Sequence, residues 1–469
     1  MPFLSGATFF VYFALLLTLV FVFYHKQKSD TEFVIGDRSL SFWLTALSAH
    51  ASDMSNWLFM GYPALIFTSG IFGVWTAIGL VVFMYLNWQF IAPKIRVATE
   101  KTKSLTLNAY FENRFEDTGA SIRVLSSLIS LLFYIVYISA GLIGMGFLVD
   151  SLFGLSYFTG ITIGLCIVAF YVFVGGYLTV AWIDLFQGMF LLAVIVIIPT
   201  FLLVKTGGIE AVSTALIQKN LATSLFPDHS MATILKALAL AAGWGLGYFG
   251  QPHIITKFMG IDDVTKMKKA KWVGISWQTL ALFGATLIGL LGIIFFPDGL
   301  SNPELISLEL VKKTLPSIFA ALILCAILAA TTNVIAAQIL VVASSISEDF
   351  YKRLFNKEAT HAQVLKVSKI SVVFIAIISY VLAFFKISTI YNLVLYAWTG
   401  IGASFGPLLL ISLHYKKINY YGAMAGIISG SLVSAIWPLF NHTLPAMIPA
   451  FLISSLMICL FSQIKKGKV

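Results

Sequence analysis

SAHASDMSNW, residues 48–57, interrupts a run that is otherwise apolar from Phe42 to Phe67. It places His50 and Asp53 three residues apart inside a segment long enough to cross a bilayer. An ionisable side chain at that depth is costly, faces a cavity or a partner, and marks function. The plainer alternative is that Asp53 caps a broken helix.

The whole chain reads as a membrane protein. Of its 469 residues, 59% are hydrophobic and 11% are charged, whereas a soluble domain carries about 25% charged residues. Apolar spans recur at 8–24, 42–67, 73–92, 121–149, 157–175, 183–204, 233–251, 272–296, 316–347, 367–385, 389–413, 420–439 and 445–464. About 20 apolar residues cross a bilayer as a helix, so thirteen transmembrane helices are expected, with no soluble domain between them. MPFLSGATFF lacks the basic n-region of a cleaved signal, so the first span is expected to stay. The net charge of +10 comes from unevenly placed loops. With alternating sides, twenty-two Lys and Arg residues fall on one side, among them Lys257. Six fall on the other: Lys205, Lys219, Lys236, Lys312, Lys313 and Lys386. The basic side is cytoplasmic by the positive-inside rule, which puts the N-terminus outside and the C-terminus inside. The charge thus reports topology and calls for no nucleic-acid partner. Cys166, Cys325 and Cys459 lie in apolar spans without metal-ligand spacing and read as small core residues. LTLNAYFENRFED, 105–117, reads as a short amphipathic helix whose acids and Arg114 form a solvated face.

A second interruption stands at 243–253, GWGLGYFGQPH, with four glycines and then a proline. Setting the first span aside, the two interrupted spans open successive groups of five. Matching breaks in two halves point to an inverted-repeat transporter with its site near the midplane. Carbonyls freed at a break can ligate a cation, and the positive end of a half-helix can hold a carboxylate. GLGYFG matches a dinucleotide fingerprint, but no strand precedes it and it lies within a span. Its glycines serve unwinding and close helix approach instead. Trp244 and Tyr248, four apart, share a helical face and read as a solute-facing pair, with a lipid-facing pair as the alternative. Asp184, after VGGYLTVAWID, either reaches the interior or caps a helix. His50 is either a titratable group near the ion or a structural histidine. No hydrolase elbow, zinc-protease motif or Walker A lysine is present in the sequence, so no enzyme and no ATP-driven pump is read from it.

Taken together, ALSAHASDMSNWLFMGYPALIF, FYIVYISAG, GGYLTVAWIDLFQG, WGLGYFGQPHI, AILAATTN, SSISEDFYK and YAWTGIGASFGPLLL run in order along the chain. They resemble the solute:sodium symporter family, in particular its bacterial sodium/proline symporters. The resemblance implies an all-α polytopic membrane protein with a LeuT-like core of two inverted five-helix repeats working by alternating access. The divisions are then 1–41 (an extra helix and loop), 42–207 and 208–415 (the repeats) and 416–469 (two further helices). It further implies that Asp53 is the essential acid and that Ala51 and Met54 lend carbonyls to sodium. Ser55, Asn56, Tyr137, Trp244, Tyr248 and Pro252 fall on solute-site positions, and Asp184 on an acid linked to a second cation position. Where the family has glycine this chain has Asn56, and where the proline symporters have glycine it has His50.

The larger departure lies in AILAATTNVIAAQ, 326–338. After the alanine matched by Ala330, the family's hydroxyl positions hold Asn333 and Val334, and two later ones hold Ala336 and Ala337. Valine and alanine offer no side-chain oxygen, Asn333 offers one, and Thr331 and Thr332 come too early in the helical register. The resulting expectation is a plasma-membrane importer of proline or a similar small amino acid, driven by sodium. Proton-coupled or sodium-independent carriage of another amino acid or carboxylate is the alternative. A carrier-like sensor and a passive channel are readings from other classes. Membrane lipid surrounds the chain, and no obligate protein partner is implied.

Overall fold

The computed structural model describes residues 2–23, 29–441 and 443–464; Lys26, Lys28, Lys465, Lys466 and Lys468 of the charge count lie outside them. Among the described residues the regular structure is helical, and the only β pairing is two isolated bridges, Leu40 with Ile261 and Gly70 with Ala222. The helices are α1 (Pro2–Val22), α2 (Asp30–Ile35), α3 (Phe42–Ala51), α4 (Gly61–Ser69), α5 (Val74–Phe90), α6 (Ala92–Lys101) and α7 (Leu107–Arg114). Then come α8 (Ser121–Phe153), α9 (Tyr157–Lys205), α10 (Gly208–Gln218), α11 (Met231–Gly245), α12 (Pro252–Met259), α13 (Met267–Phe295) and α14 (Ile306–Thr314). The chain closes with α15 (Ser317–Ser344), α16 (His361–Phe384), α17 (Ile390–His414), α18 (Tyr420–Phe440) and α19 (Met447–Phe461).

Nine helical stretches among the described residues are long and apolar enough to cross a membrane. One of them, α9, has 49 residues, about 73 Å if straight and more than twice a bilayer core. It bends at Gly176, whose φ of 62° and ψ of −163° suit only glycine. It therefore supplies two crossings, as the two spans at 157–175 and 183–204 require. The broken pair α3–α4 and the shorter apolar helices α1 and α19 complete the thirteen.

Local chemistry ends α3 where the sequence turns polar. The Ser41 hydroxyl caps its start by accepting from the Leu44 N–H. After Ala51 the N–H groups of Asp53 and Met54 both return to the His50 carbonyl, and Ser55 N–H to Asp53. None of these bonds uses the carbonyls of Ala51 or Met54. Ser55 caps a short 3-10 turn at Asn56–Leu58 by accepting from Trp57 N–H. Every residue from Leu44 to Ala64 is buried, so this open backbone meets protein rather than lipid.

The second break extends further than the sequence implied. α11 tightens into a 3-10 turn at Leu246–Gly250, Gln251 is extended, and Pro252 opens α12 at its first position. Residues 252–259, past the apolar span read as ending at 251, form the other half of this helix and are buried to Met259. Lys257, counted in a basic loop, is therefore an interior residue. α17 clamps the turn: Trp398 Nε1 donates to the Trp244 carbonyl at 2.8 Å, and Gln251 Nε2 donates to the Trp398 carbonyl at 3.0 Å.

Two further expectations change. The acids of α7 are not all solvated, because Glu112 is buried and paired with Arg123 at 2.9 Å and Arg353 at 2.6 Å. Arg123 also binds Asp349, which accepts from Thr106 and Asn108, so α7 is pinned to the π-helical segment Ser345–Phe355 that follows α15. Of the cysteines only Cys325 is buried; Cys166 and Cys459 are exposed on the apolar surface. On the same face Asp30 is buried, which alone would raise its pKa. Hydrogen bonds from Lys352 and His361 outweigh this and hold the carboxyl down at about 2.

Gly250 has no space for a side chain: a Cβ there would lie 2.5 Å from the Gly406 nitrogen and 2.7 Å from the Gly402 oxygen. Both are backbone atoms of a helix, so neither yields. Gly250→Ala is expected to cost about 1–3 kcal/mol, read as a lower thermal midpoint of the detergent-solubilised protein.

Candidate functional site

The two breaks face each other across one small chamber. Asp53, Met54 and Trp57 come from the first break, Trp244 and Tyr248 from the second, Tyr137 from α8, Leu80 from α5, and Val394 and Trp398 from α17. The enclosed cavity is about 10 Å³, room for about one water molecule. Its walls are aromatic. Trp57 and Trp244 rings lie 4.7 Å apart, and Trp398 meets Trp244 at 6.4 Å, tilted, and Tyr248 at 5.1 Å, edge to face. Trp244 and Tyr248 thus share the chamber through Trp398, because the helix between them tightens before Tyr248. Trp244 Nε1 donates to the Tyr391 hydroxyl at 3.3 Å on one side of the chamber.

The Tyr248 hydroxyl donates to Asp53 Oδ2 at 2.5 Å and accepts from Gln278 Nε2 at 2.9 Å. Asn87 Nδ2 donates to the Tyr248 carbonyl at 3.0 Å, holding the unwound turn. Tyr137 lies with its hydroxyl against the Ser55 side chain. Asn56 turns away from the chamber: its Nδ2 donates to the Ala140 carbonyl at 3.2 Å, where Gly144 leaves room. Pro252 lines a second cavity of about 20 Å³, with His253, Thr256, Lys257 and Ala337 among its walls. Of the six expected solute residues, Tyr137, Trp244 and Tyr248 line the chamber, Ser55 stands behind Tyr137, and Asn56 and Pro252 lie beyond it.

The residues read as cation-linked separate into three settings. Asp53 lines the chamber. Asp184, fully buried on α9, accepts from Ser48 at 2.6 Å and pairs with Lys257 Nζ at 3.1 Å, whose ammonium also lies 4.8 Å from the Tyr177 ring. His50 is also buried: its Nε2 accepts from Trp88 Nε1 at 3.0 Å, its ring stacks on Trp88, and Gly274 makes room beside it. That bond fixes the proton on Nδ1 in a neutral ring.

Ala51 packs against Gly188 of α9, and α15 crosses beside both α3 and the Asn56–Leu58 turn. On α15, Ala330 and Asn333 are fully buried, and among the described residues neither amide atom of Asn333 has a partner. Thr331 and Thr332 spend their hydroxyls on their own helix, donating to Ile327 at 2.8 Å and Leu328 at 2.9 Å. Among the described residues no cluster of three His, Cys, Asp or Glu side chains offers a metal site.

Two discontinuous helices meeting at an aromatic chamber with one acid in the break form the architecture of LeuT-like transporters. Solved transporters share this fold. A sodium-coupled sialic acid symporter in a substrate-bound outward-open state matches at TM-score 0.83 and 20% identity, covering 98% of each chain. Mhp1, a nucleobase-cation-symport-1 family transporter with bromovinylhydantoin bound, matches at 0.60 and 15% identity, covering 92% of this chain and 94% of its own. The chain belongs to the sodium:solute symporter family, whose description fits residues 33–430. Among relatives, a high-affinity proline transporter of Bacillus subtilis (strain 168) is 38% identical over 449 residues, 94% of each chain. The sodium/proline symporter of Escherichia coli (strain K12) is 36% identical over 469 residues, 98% of this chain and 93% of that one.

Sequence reasoning passed over Trp57, Trp398, Gln278 and Lys257. Trp398 lay in a quoted stretch, YAWTGIGASFG, without a role, and Gln278 was visible as an amide inside an apolar span. Removing one partner of a buried ion pair strands the other and costs about 3–5 kcal/mol, while replacing both with apolar groups is often neutral. Lys257→Met is therefore expected to lower the thermal midpoint sharply, and Lys257→Met with Asp184→Leu to return it close to wild type.

Proposed function

We propose that the chain imports proline, or a similar small amino acid, together with sodium. The observation that carries this reading is the chamber itself, where the acid of one break and the aromatic side chains of the other close on the same small volume. Trp244, Tyr248 and Tyr137, joined by Trp57 and Trp398, would pack on the pyrrolidine ring. The backbone beside Ser55 and Asn56 would hold the amino and carboxyl groups. Pro252 keeps α12 starting at the chamber floor and lines the cavity below, which fits the route toward the cytoplasm. The N-terminus lies outside the plasma membrane and the C-terminus inside, on the strength of the loop charges. The repeats are 42–207 and 208–415, flanked by 1–41 and 416–469.

Sodium, as co-transported substrate, fits a site formed by the carbonyls of Ala51, Met54 and Ala330 and the amide oxygen of Asn333. A buried carboxamide with no partner costs about 1–3 kcal/mol, and an oxygen-seeking cation relieves half of that. Val334, Ala336 and Ala337 add no oxygen, and Lys257 already supplies Asp184 with a positive partner. One sodium per cycle is the stoichiometry this arrangement supports. Asp53 attracts that cation through the wall of the chamber. His50, engaged with Trp88, serves the packing of α3 against α5 and α13.

Labelled proline uptake into proteoliposomes tests the reading. An inward sodium gradient is expected to drive accumulation, and a proton gradient without sodium is not; the reverse result assigns the coupling to protons. Asp53→Asn is expected to lower uptake at least tenfold. Trp244→Ala is expected to raise the half-saturating proline concentration roughly tenfold, the worth of about 1.4 kcal/mol of aromatic contact. Asn333→Leu is expected to raise the half-saturating sodium concentration by a similar factor, and an unchanged sodium response removes Asn333 from the ion site.

A further inference from the structure

Three side chains from three helical segments make one hydrogen-bonded row: Gln278 Nε2 to the Tyr248 hydroxyl at 2.9 Å, and that hydroxyl to Asp53 Oδ2 at 2.5 Å. Gln278 and Tyr248 have no exposure to solvent and Asp53 has 6%. The row has a direction fixed by counting protons. A phenol has one proton to give, and an ionised carboxylate can only accept. The amide of Gln278 therefore offers its NH2 to the phenol oxygen, and the phenol proton is committed to Asp53. Were the amide turned over, its oxygen and Asp53 would compete for the same proton; as placed, the amide oxygen alone goes without a partner among the described residues.

Gln278 is held where it is by its own helix. One residue earlier on α13, Trp277 Nε1 donates to the Gly188 carbonyl of α9 at 3.0 Å, and Gly274 seats His50 of α3. Its amide thus reaches from a helix packed on α3, α4 and α9 to the second break. Among the described residues Tyr248 is the only hydrogen-bond donor to the Asp53 carboxylate. Tyr248 is also a wall of a chamber with a volume of about 10 Å³. A solute larger than one water must widen the chamber, and where it bears on the Tyr248 ring a shift of about 1 Å takes a bond of this length out of hydrogen-bonding range.

We propose that Gln278 is a positioning residue that couples the two cargoes, holding the Tyr248 proton on Asp53 until a solute displaces the ring and exposes the carboxylate to the cation. This deepens the reading of the chamber as a shared solute and sodium site and rests on it. Solute then raises sodium affinity, and by linkage sodium raises solute affinity by the same factor. Without Gln278 the phenol is no longer fixed, Asp53 is poorly satisfied before solute arrives, and sodium binding loses its dependence on solute. A hydrogen bond of this kind accounts for roughly a two- to tenfold change in affinity.

The experiment measures the half-saturating sodium concentration for uptake at low and at saturating proline, in the full chain reconstituted in proteoliposomes. The ratio of the two values reads the coupling and is insensitive to the amount of folded carrier. The wild-type ratio is expected to lie well above one, and Gln278→Leu to bring it close to one. Tyr248→Phe is expected to do the same, and the double variant to match either single variant, because both break one row. Should Gln278→Leu not fold, the isosteric Gln278→Glu carries the test, since its carboxylate competes with Asp53 for the phenol proton. An unchanged ratio in a folded Gln278 variant, or a double variant further from wild type than either single one, overturns the coupling alone. A wild-type chain whose uptake ignores sodium overturns the shared-site reading and the coupling with it.

Discussion

Backbone that leaves the helical ladder inside a bilayer must find its partners in protein, and this requirement organises the molecule. α3 stops at Ala51 and α11 at Gly245, and each leaves polar backbone inside an apolar span. Neither break is stable against lipid, so each is enclosed by continuous helices. α17 brings Trp398 and two glycines against the second break, α5 brings Asn87, and α13 and α15 close over the first. The glycines at 247, 250, 402 and 406 let the backbones approach closely enough for one tryptophan to bond both sides of the turn. Wrapped by different helices, the two breaks still meet across the one chamber they both line.

The chamber between them is built from two kinds of contact. Ring-to-ring contacts, such as Trp57 on Trp244, are broad and tolerate sliding, so they suit a boundary that opens. Directed bonds hold the opposite wall: Asn87 on the Tyr248 backbone, Gln278 on its hydroxyl, and Tyr248 on Asp53. On the proposed reading a solute would enter by parting aromatic side chains and be sensed by the hydrogen-bonded row.

Much of this was legible in the residues. An aspartate inside an apolar run and a glycine-rich break before a proline are rare enough to mark Asp53, Trp244 and Tyr248, and all three line the chamber. The thirteen crossings followed from apolar length, including the division of α9 near Gly176. What sequence order could not convey was which face a residue presents once a helix has broken. Asn56, adjacent to Ser55, rotates onto the α8 backbone. His50 lies one turn from Asp53 yet is absorbed by Trp88. Lys257 looked like a loop cation because hydropathy falls at Thr256–Lys257, and only the partner at Asp184, 73 positions away, accounts for its burial. Trp398 and Gln278 belong to helices that are regular in sequence, and their importance arises only from what the breaks place beside them.

The pairing of Lys257 with Asp184 has an electrical consequence. Those two fixed charges cancel within the core, so the membrane voltage has no purchase on them as the bundle rocks. Among the described residues Asp53 has no such counter-ion and is met by the Tyr248 hydroxyl alone. On the proposed reading, sodium joining an ionised Asp53 would let the loaded carrier cross with this charge neutralised, while the unloaded one would carry it, and a full traverse of 100 mV would exert about 2.3 kcal/mol on it. A negative-inside potential would accordingly act on the homeward half of the cycle, pushing the vacated binding site back toward the outer face.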